Sequence, residues 1–302
     1  MRRTRTLLVS AAVALVAATA GSGARAETRD PAVAATATEV ATPRVTKLLV
    51  IVEENHSLAQ MRDGMPYTFS LAKKYSYATD YHALMHPSLP NYLAIAGGST
   101  FGVTDDRGPS SHPLSNYSVF GQARHAGKTA RVYAESQPTT CALSSSGRYA
   151  VRHNPWTYWP DEGASCRLHD RGLSVFTSDT QAGRLPRVGM LVPNLDHDAH
   201  DGSLAAADAW FKARMTTIGA SPDWKSGRLA VVLTADEDDS HNGNVVLTTV
   251  LHPSLQYRHL QVTRRLDHYS LTRLYGEVAG LPPLRNAKTA PSMAAAFGLP
   301  VA

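Results

Sequence analysis

The sequence predicts an α/β sandwich with a mostly parallel sheet. Three observations carry that expectation. Short aliphatic runs alternate with segments whose apolar residues recur at helical spacing, the pattern of strand–helix–strand units. The chain has 302 residues, 43% hydrophobic and 18% charged, enough to bury a large core. No internal repeat and no composition break divides residues 44–302, so they read as one domain.

The N-terminus reads as a leader. Arg2, Arg3 and Arg5 open a basic stretch, Leu7–Ala20 is an apolar run, and Ala24-Arg25-Ala26 closes it in an Ala-x-Ala pattern. That describes a secretory signal peptide at residues 1–26, with cleavage expected after Ala26. An uncleaved anchor is the alternative, but the run is shorter than the ~20 apolar residues a membrane helix needs. Residues 27–43, rich in Ala and Thr, read as a flexible lead-in.

Strands are then expected at Lys47–Glu53, Ala130–Ala134, Val188–Val192, Leu229–Thr234 and Val245–Leu251. Each is rich in Val, Leu or Ile and bounded by polar or turn residues. Between them, Met65–Tyr75, Leu89–Ile95, Val119–His125, Leu204–Met215 and Leu271–Val278 carry apolar residues at helical spacing. Residues 138–184 have weak periodicity and much Ser, Pro and Gly, and read as an irregular insertion. Cys141 and Cys166 lie inside it. In an oxidising compartment they are expected to pair, closing a loop of about 24 residues and stabilising by roughly 3 kcal/mol. Metal ligation by these two has no C-x-x-C spacing to support it.

The formal net charge of +5 invites an anionic partner, but Arg2, Arg3, Arg5 and Arg25 belong to the leader. Without them 26 basic residues face 25 acidic ones, so composition makes no case for nucleic acid. No later run is long enough to span a bilayer. The mature protein is expected to be exported, whether secreted, periplasmic or on the cell surface, with no stable membrane insertion.

Ligands of open α/β sheets bind beyond the carboxyl ends of the strands. After the first expected strand comes Glu53-Glu54-Asn55-His56-Ser57, and after the fourth Ala235-Asp236-Glu237-Asp238-Asp239. After the third comes Pro193-Asn194-Leu195-Asp196-His197-Asp198-Ala199-His200-Asp201. One acidic run is ordinarily a solvated turn. Three at strand ends crowd like charges unless a cation sits among them, and the oxygen donors point to a hard divalent metal, with His admitting zinc or iron. In His86-Pro87-Ser88-Leu89-Pro90-Asn91-Tyr92, Ser88 stands where a helix N-cap is expected. The same position offers a phosphate the helix N-terminus, and a metal-activated Ser88 would be a nucleophile. The sequence has no G-x-S-x-G elbow, H-E-x-x-H, phosphate-binding G-x-x-x-x-G-K-[ST] loop or G-x-G-x-x-G fingerprint.

Seven motifs, in order, resemble those of one family. They are Val52–Ser57; His86–Tyr92 with Gly97–Thr100; Tyr149-Ala-Val-Arg-His153-Asn-Pro-Trp156; Pro193-Asn194; Asp198-Ala-His200-Asp201; Thr234–Asp239; and Asp267-His268-Tyr269-Ser270. The chain resembles the phosphoesterase family of bacterial and fungal acid phosphatases and bacterial phospholipases C, over about Val45 to Leu299. The resemblance implies the alkaline-phosphatase-like superfamily, a three-layer α/β/α sandwich and a metal-assisted Ser or Thr nucleophile, making residues 44–302 the catalytic domain. Ser88 matches the nucleophile. Glu54, Asn55, Asp236 and Glu237 match the ligands of a divalent metal, with Asn55 also near the phosphate. His153 and His200 match histidines around the phosphate, and His86, or His82 behind it, matches a further one. His268 matches a recurring motif of unassigned role. Against the large phospholipases C this chain is short and lacks long insertions.

The implied activity is a secreted metal-dependent phosphomonoesterase, an acid phosphatase acting on small phosphate esters through phospho-Ser88. Its alternatives are a phosphodiesterase or phospholipase C on the same site, or a catalytically silent phosphate-binding exported protein. His200 would give a proton to the leaving group or only contact phosphate, and imidazolium contacts would favour an acidic optimum.

Overall fold

The computed structural model describes residues 43–301. The expected signal peptide and nearly all of the lead-in lie outside the described residues. In chain order the strands are β1 (Lys47–Glu53), β2 (Ser76–Ala78), β3 (Tyr81–His82), β4 (Ala130–Ala134), β5 (Asp170–Arg171), β6 (Val188–Val192), β7 (Leu229–Ala235), β8 (Thr248–Leu251), β9 (Leu260–Val262) and β10 (Leu266–Asp267). Eight of them form the central sheet, in the order β5–β4–β6–β1–β7–β8–β2–β9, and β3 pairs with β10 apart from it. Only β8 runs antiparallel to its neighbours.

β1, β6 and β7 are largely apolar and rich in Val and Leu, buried throughout except for Lys47 at the start of β1. That is the pattern of strands covered on both faces. Apart from Gly163–His169, the helices fall into two sets that pack among themselves. Leu58–Gly64, Pro66–Lys74, Leu173–Gln181, Leu204–Ala220 and Pro222–Lys225 make one, and Ser88–Gly97, Val119–His125, His268–Ala279 and Met293–Phe297 the other. In the first, Asp208 accepts from the N–H groups of Tyr67 and Thr68, satisfying the start of the Pro66–Lys74 helix. In the second, Tyr275 donates to the Gly189 carbonyl, fixing the His268–Ala279 helix against β6.

The expected strands are present, with one shortened. The fifth begins at Thr248 because Val245 and Val246 bond instead to the short Tyr81–His82 strand. The expected irregular insertion is more ordered than its composition indicates. It holds three 3₁₀ turns between Val151 and Glu162, the Gly163–His169 and Leu173–Gln181 helices, and β5. Trp156, Tyr158 and Trp159 bury there, and the Glu162 carboxylate takes the Ser118 N–H, the Ser118 hydroxyl and the Trp156 indole. Cys141 and Cys166 form a disulfide, with Cα atoms 5.5 Å apart. Asp170 lies within reach of both sulfurs, but the disulfide leaves no thiolate for a metal.

Candidate active site

The sheet order places β6, β1 and β7 side by side, so their carboxyl ends open at one place. Backbone hydrogen bonds extend the ladder past the strands: Asp236 N donates to Glu53 O at 2.9 Å, and Glu54 N to Asp198 O at 2.7 Å. Glu54, Asp198 and Asp236 are thereby neighbours despite their distance in sequence. Asn55 turns the chain there with φ 54°, a left-handed conformation that Asn tolerates better than most residues. Its N–H donates to Asp236 Oδ1 at 3.1 Å.

Ser88 is the first residue of the Ser88–Gly97 helix, and Pro87 is its N-cap. The expected capping role is therefore absent. Leu89 N donates instead to Asp106 Oδ1 at 2.9 Å, so that part of the helix N-terminus is already occupied. Ser88 Oγ donates to Glu54 Oε2 at 3.0 Å, with Glu237 Oε1 at 3.4 Å. Glu54 Oε1 accepts from Tyr92 Oη at 2.6 Å and lies 3.1 Å from His153 Nε2, which is not aligned for a hydrogen bond. His153 Nδ1 is 3.1 Å from Asp198 Oδ2, and its ring stacks on Tyr92 with centroids 5.1 Å apart. Ser88, Glu54, His153 and Asp198 form one buried row.

The remaining expected residues surround that row. His86 lies between two acids, Nδ1 3.0 Å from Glu237 Oε2 and Nε2 3.3 Å from Asp238 Oδ1. His82 is held by Asp80 and the Gly243 carbonyl. His200 sits at the rim with a side chain 31% exposed; Nδ1 faces Asp201 Oδ1 at 2.7 Å, and Nε2 accepts from Arg152 Nη2 at 3.0 Å. Its ring centroid is 6.1 Å from that of His153. His268 lies behind the cluster: Tyr81 Oη is 3.1 Å from Nδ1, and Nε2 is 2.7 Å from the Asp236 carbonyl. That geometry suits a neutral ring with its proton on Nε2, holding Asp236 in place. Burial pushes its pKa down to about 4.

Burial dominates the electrostatics. It raises Glu54 well above the usual carboxyl range, helped by the charges of Asp236 and Asp198. It pushes Asp236 up to about 7 and Asp198 to about 6. Glu237 rises to about 9, from burial first and Asp236 next. Burial also drives His153 well below the ordinary imidazole value, which counters an imidazolium contact to phosphate there. Asn55 Oδ1 and Asp236 Oδ2 are buried without a hydrogen-bond partner. With Glu54 and Glu237 they make an all-oxygen donor set, which suits a hard divalent cation.

Four polar residues of this region had no role assigned from sequence. Arg152 is a cation near Glu54 and Asp198, beside His153. Its position inside the Tyr149–Trp156 motif is the only signal that marks it. Asp198 and Tyr92 likewise lie inside motifs without standing out. Asp106, on the loop after the Ser88–Gly97 helix, has no sequence signal.

A profile of the Phosphoesterase family matches residues 59–253. A phosphatidylinositol-3-phosphatase from Mycobacterium tuberculosis is 30% identical over 263 residues, covering 85% of each chain. A phosphate-repressible acid phosphatase from Penicillium chrysogenum is 29% identical over 71% of this chain and 54% of its own length. The chain thus spans about half the length of the fungal relatives it matches. Among solved structures, a protein in the alkaline phosphatase superfamily from Vibrio parahaemolyticus aligns over 82% of this chain and 70% of its own, with a TM-score of 0.55 at 12% identity. The chain belongs to the Phosphoesterase family, has the fold of the alkaline phosphatase superfamily, and is a hydrolase of phosphoric esters.

Proposed function

We propose that the chain is an exported, metal-assisted phosphomonoesterase that works through a phospho-Ser88 intermediate. The observation that carries this reading is the direction of Ser88 Oγ, which donates to Glu54 rather than to its own helix. A serine that only starts a helix has no need of a buried carboxylate. The two relatives described above are both named phosphatases, which favours monoesters over diesters. A lipid phosphate and a small soluble one both fit that class.

Glu54, Asn55, Asp236 and Glu237 would hold the divalent cation. When bound, it supplies Lewis-acid charge that lowers the pKa of a serine hydroxyl and offsets charge on the phosphoryl oxygens. The protein's own residues do the rest. Ser88 Oγ, fixed at the first turn of a fully buried helix, attacks phosphorus as its proton leaves toward the Glu54–Glu237 side. Arg152 and Asn55 offset charge on the non-bridging oxygens, where positioning and electrostatics carry most of phosphoryl transfer. The Oγ–P bond forms as the ester P–O bond breaks, and the leaving alkoxide takes a proton at the rim. His200 is the group assigned there, once protonated at Nε2, the atom that now accepts from Arg152. Water then attacks phosphorus as His200 takes its proton, the Oγ–P bond breaks with the proton lost in the first half returned to Ser88 Oγ, and phosphate leaves. His153 positions Glu54 through its place between Glu54 and Asp198.

Among the described residues no helix is long and apolar enough to cross a membrane. The leader expected at 1–26 supports an exported protein whose catalytic domain is residues 44–302. Steady-state rates on para-nitrophenyl phosphate and bis-para-nitrophenyl phosphate, with and without chelator, test the proposal. Faster hydrolysis of the monoester, lost on chelation and restored by one divalent metal, is expected. Diester preference would contradict the monoester assignment, and full activity in chelator the metal assignment.

A further inference from the structure

The opposite end of the same strands has the opposite charge. A cavity of about 510 Å³ opens where β1, β4, β6 and β7 begin, lined by Lys47, Arg131, Arg184, Arg187 and Arg228. Against these five cations stand two buried carboxylates, Asp179 and Asp223. The local excess is three positive charges, on a mature chain that is otherwise near neutral.

The two acids are committed to the fold. Asp223 takes Lys47 Nζ at 2.7 Å and the Leu185 N–H at 3.1 Å. Asp179 takes the Tyr133 hydroxyl at 2.9 Å and pairs with Arg131. They fix Lys47 and Arg131 and leave the rim short of counter-charge. Arg184 and Arg228 reach the same two acids only at 3.6 Å, with side chains 65% and 52% exposed. Among the described residues no carboxylate lies within 4.0 Å of Arg187.

The five cations come from four segments: Lys47 and Arg131 at the starts of β1 and β4, Arg228 just before β7, and Arg184 and Arg187 on the loop that leads into β6, so the rigid sheet fixes the spacing of the segments. Ordinary surface arginines scatter among acids, whereas these converge on one concavity. Guanidinium groups recognise phosphate and sulfate oxygens through paired N–H donors. β1 separates this cavity from the catalytic end by about 20 Å, the six steps of roughly 3.3 Å along its seven residues. We infer that the cavity is a second binding site, for a compact soluble polyanion such as an oligophosphate with three or more charges. It does not depend on the catalytic reading.

The test is calorimetric titration of tripolyphosphate into the Ser88→Ala chain, in metal-free buffer and with orthophosphate saturating. Binding of one tripolyphosphate per chain is expected, weakening as salt rises. Arg187→Glu and Arg184→Glu should each reduce affinity at least tenfold. Arg187→Gln, checked for an unchanged melting temperature, should reduce it less. Absence of binding, displacement by orthophosphate, or indifference to these arginines would overturn the inference. So would binding of phosphatidylserine vesicles through the same arginines without any tripolyphosphate binding, which would make the face a membrane contact.

Discussion

Asp106 Oδ1 accepts the N–H of Leu89 at 2.9 Å, so a loop carboxylate does the work expected of Ser88 at the start of the Ser88–Gly97 helix. Ser88 is thereby released to face Glu54. The two residues should separate in mutagenesis. Ser88→Ala removes a hydroxyl that donates to a buried carboxylate, which should cost about 1–3 kcal/mol of stability and abolish turnover. Asp106→Ala should cost about 1–2 kcal/mol, as for a lost cap, and affect turnover far less. Urea unfolding and para-nitrophenyl phosphate turnover of both variants read the difference, and a Ser88→Ala chain that keeps its turnover would return Ser88 to a structural role.

His268 touches the site only from behind, through the Asp236 carbonyl. His268→Ala should raise the metal concentration needed for half-maximal activity by about 10- to 100-fold, as for other groups that orient a metal ligand. His268→Gln, which keeps an N–H donor, should recover part of that loss. A fall in kcat with unchanged metal dependence would show that His268 acts otherwise.

Asp170, which accepts from Asn154 beside His153, predicts a pH dependence of stability. Burial pushes its pKa up to about 7, from a usual 3.8, although Asn154 and the Cys141 N–H donate to it. The folded state therefore holds the proton more tightly than the unfolded chain. Its contribution is full at low pH and is lost as pH rises from about 4 through about 7. Between pH 5 and 8 the wild type should lose roughly 2–3 kcal/mol more than Asp170→Asn. Parallel stability curves for the two would refute this assignment.

The Cys141–Cys166 disulfide closes a segment containing Arg152 and His153. Replacing both cysteines by Ser should remove roughly 3 kcal/mol, from loop entropy alone. For a domain of this size that lowers the melting temperature by about 6–12 °C. Calorimetry checks it, and an unchanged melting temperature would mean that packing alone holds the segment.

The strands that carry the site were legible because each is an apolar run rich in Val and Leu, with acids at the end of two of them, at Glu53-Glu54 and Asp236-Glu237, and a few residues after the third. Their adjacency was not, because the order β6–β1–β7 joins segments far apart in sequence and no local pattern encodes it. The role of Ser88 was half legible. The helix was expected one residue late, and a serine before a helical run has the same local pattern whether it caps or faces a carboxylate. Arg152 and Asp106 were hidden for a related reason: Arg152 is one charged residue on an irregular segment, Asp106 sits in an Asp105-Asp106-Arg107 run that reads as a solvated turn, and only the folded chain shows what each faces. The segment 138–184 misled through its Ser, Pro and Gly content. Its order comes from Trp156, Trp159 and the buried carboxylate of Glu162, which act across distances that periodicity does not register.

The most direct test of the account is acid quenching of the metal-loaded chain during turnover of para-nitrophenyl phosphate, followed by peptide mass spectrometry. The expected result is one phosphoryl group on the peptide containing Ser88, absent in Ser88→Ala, whose turnover should fall about a thousandfold or more. Undiminished turnover by Ser88→Ala, or a phosphoryl group on another residue, would contradict it.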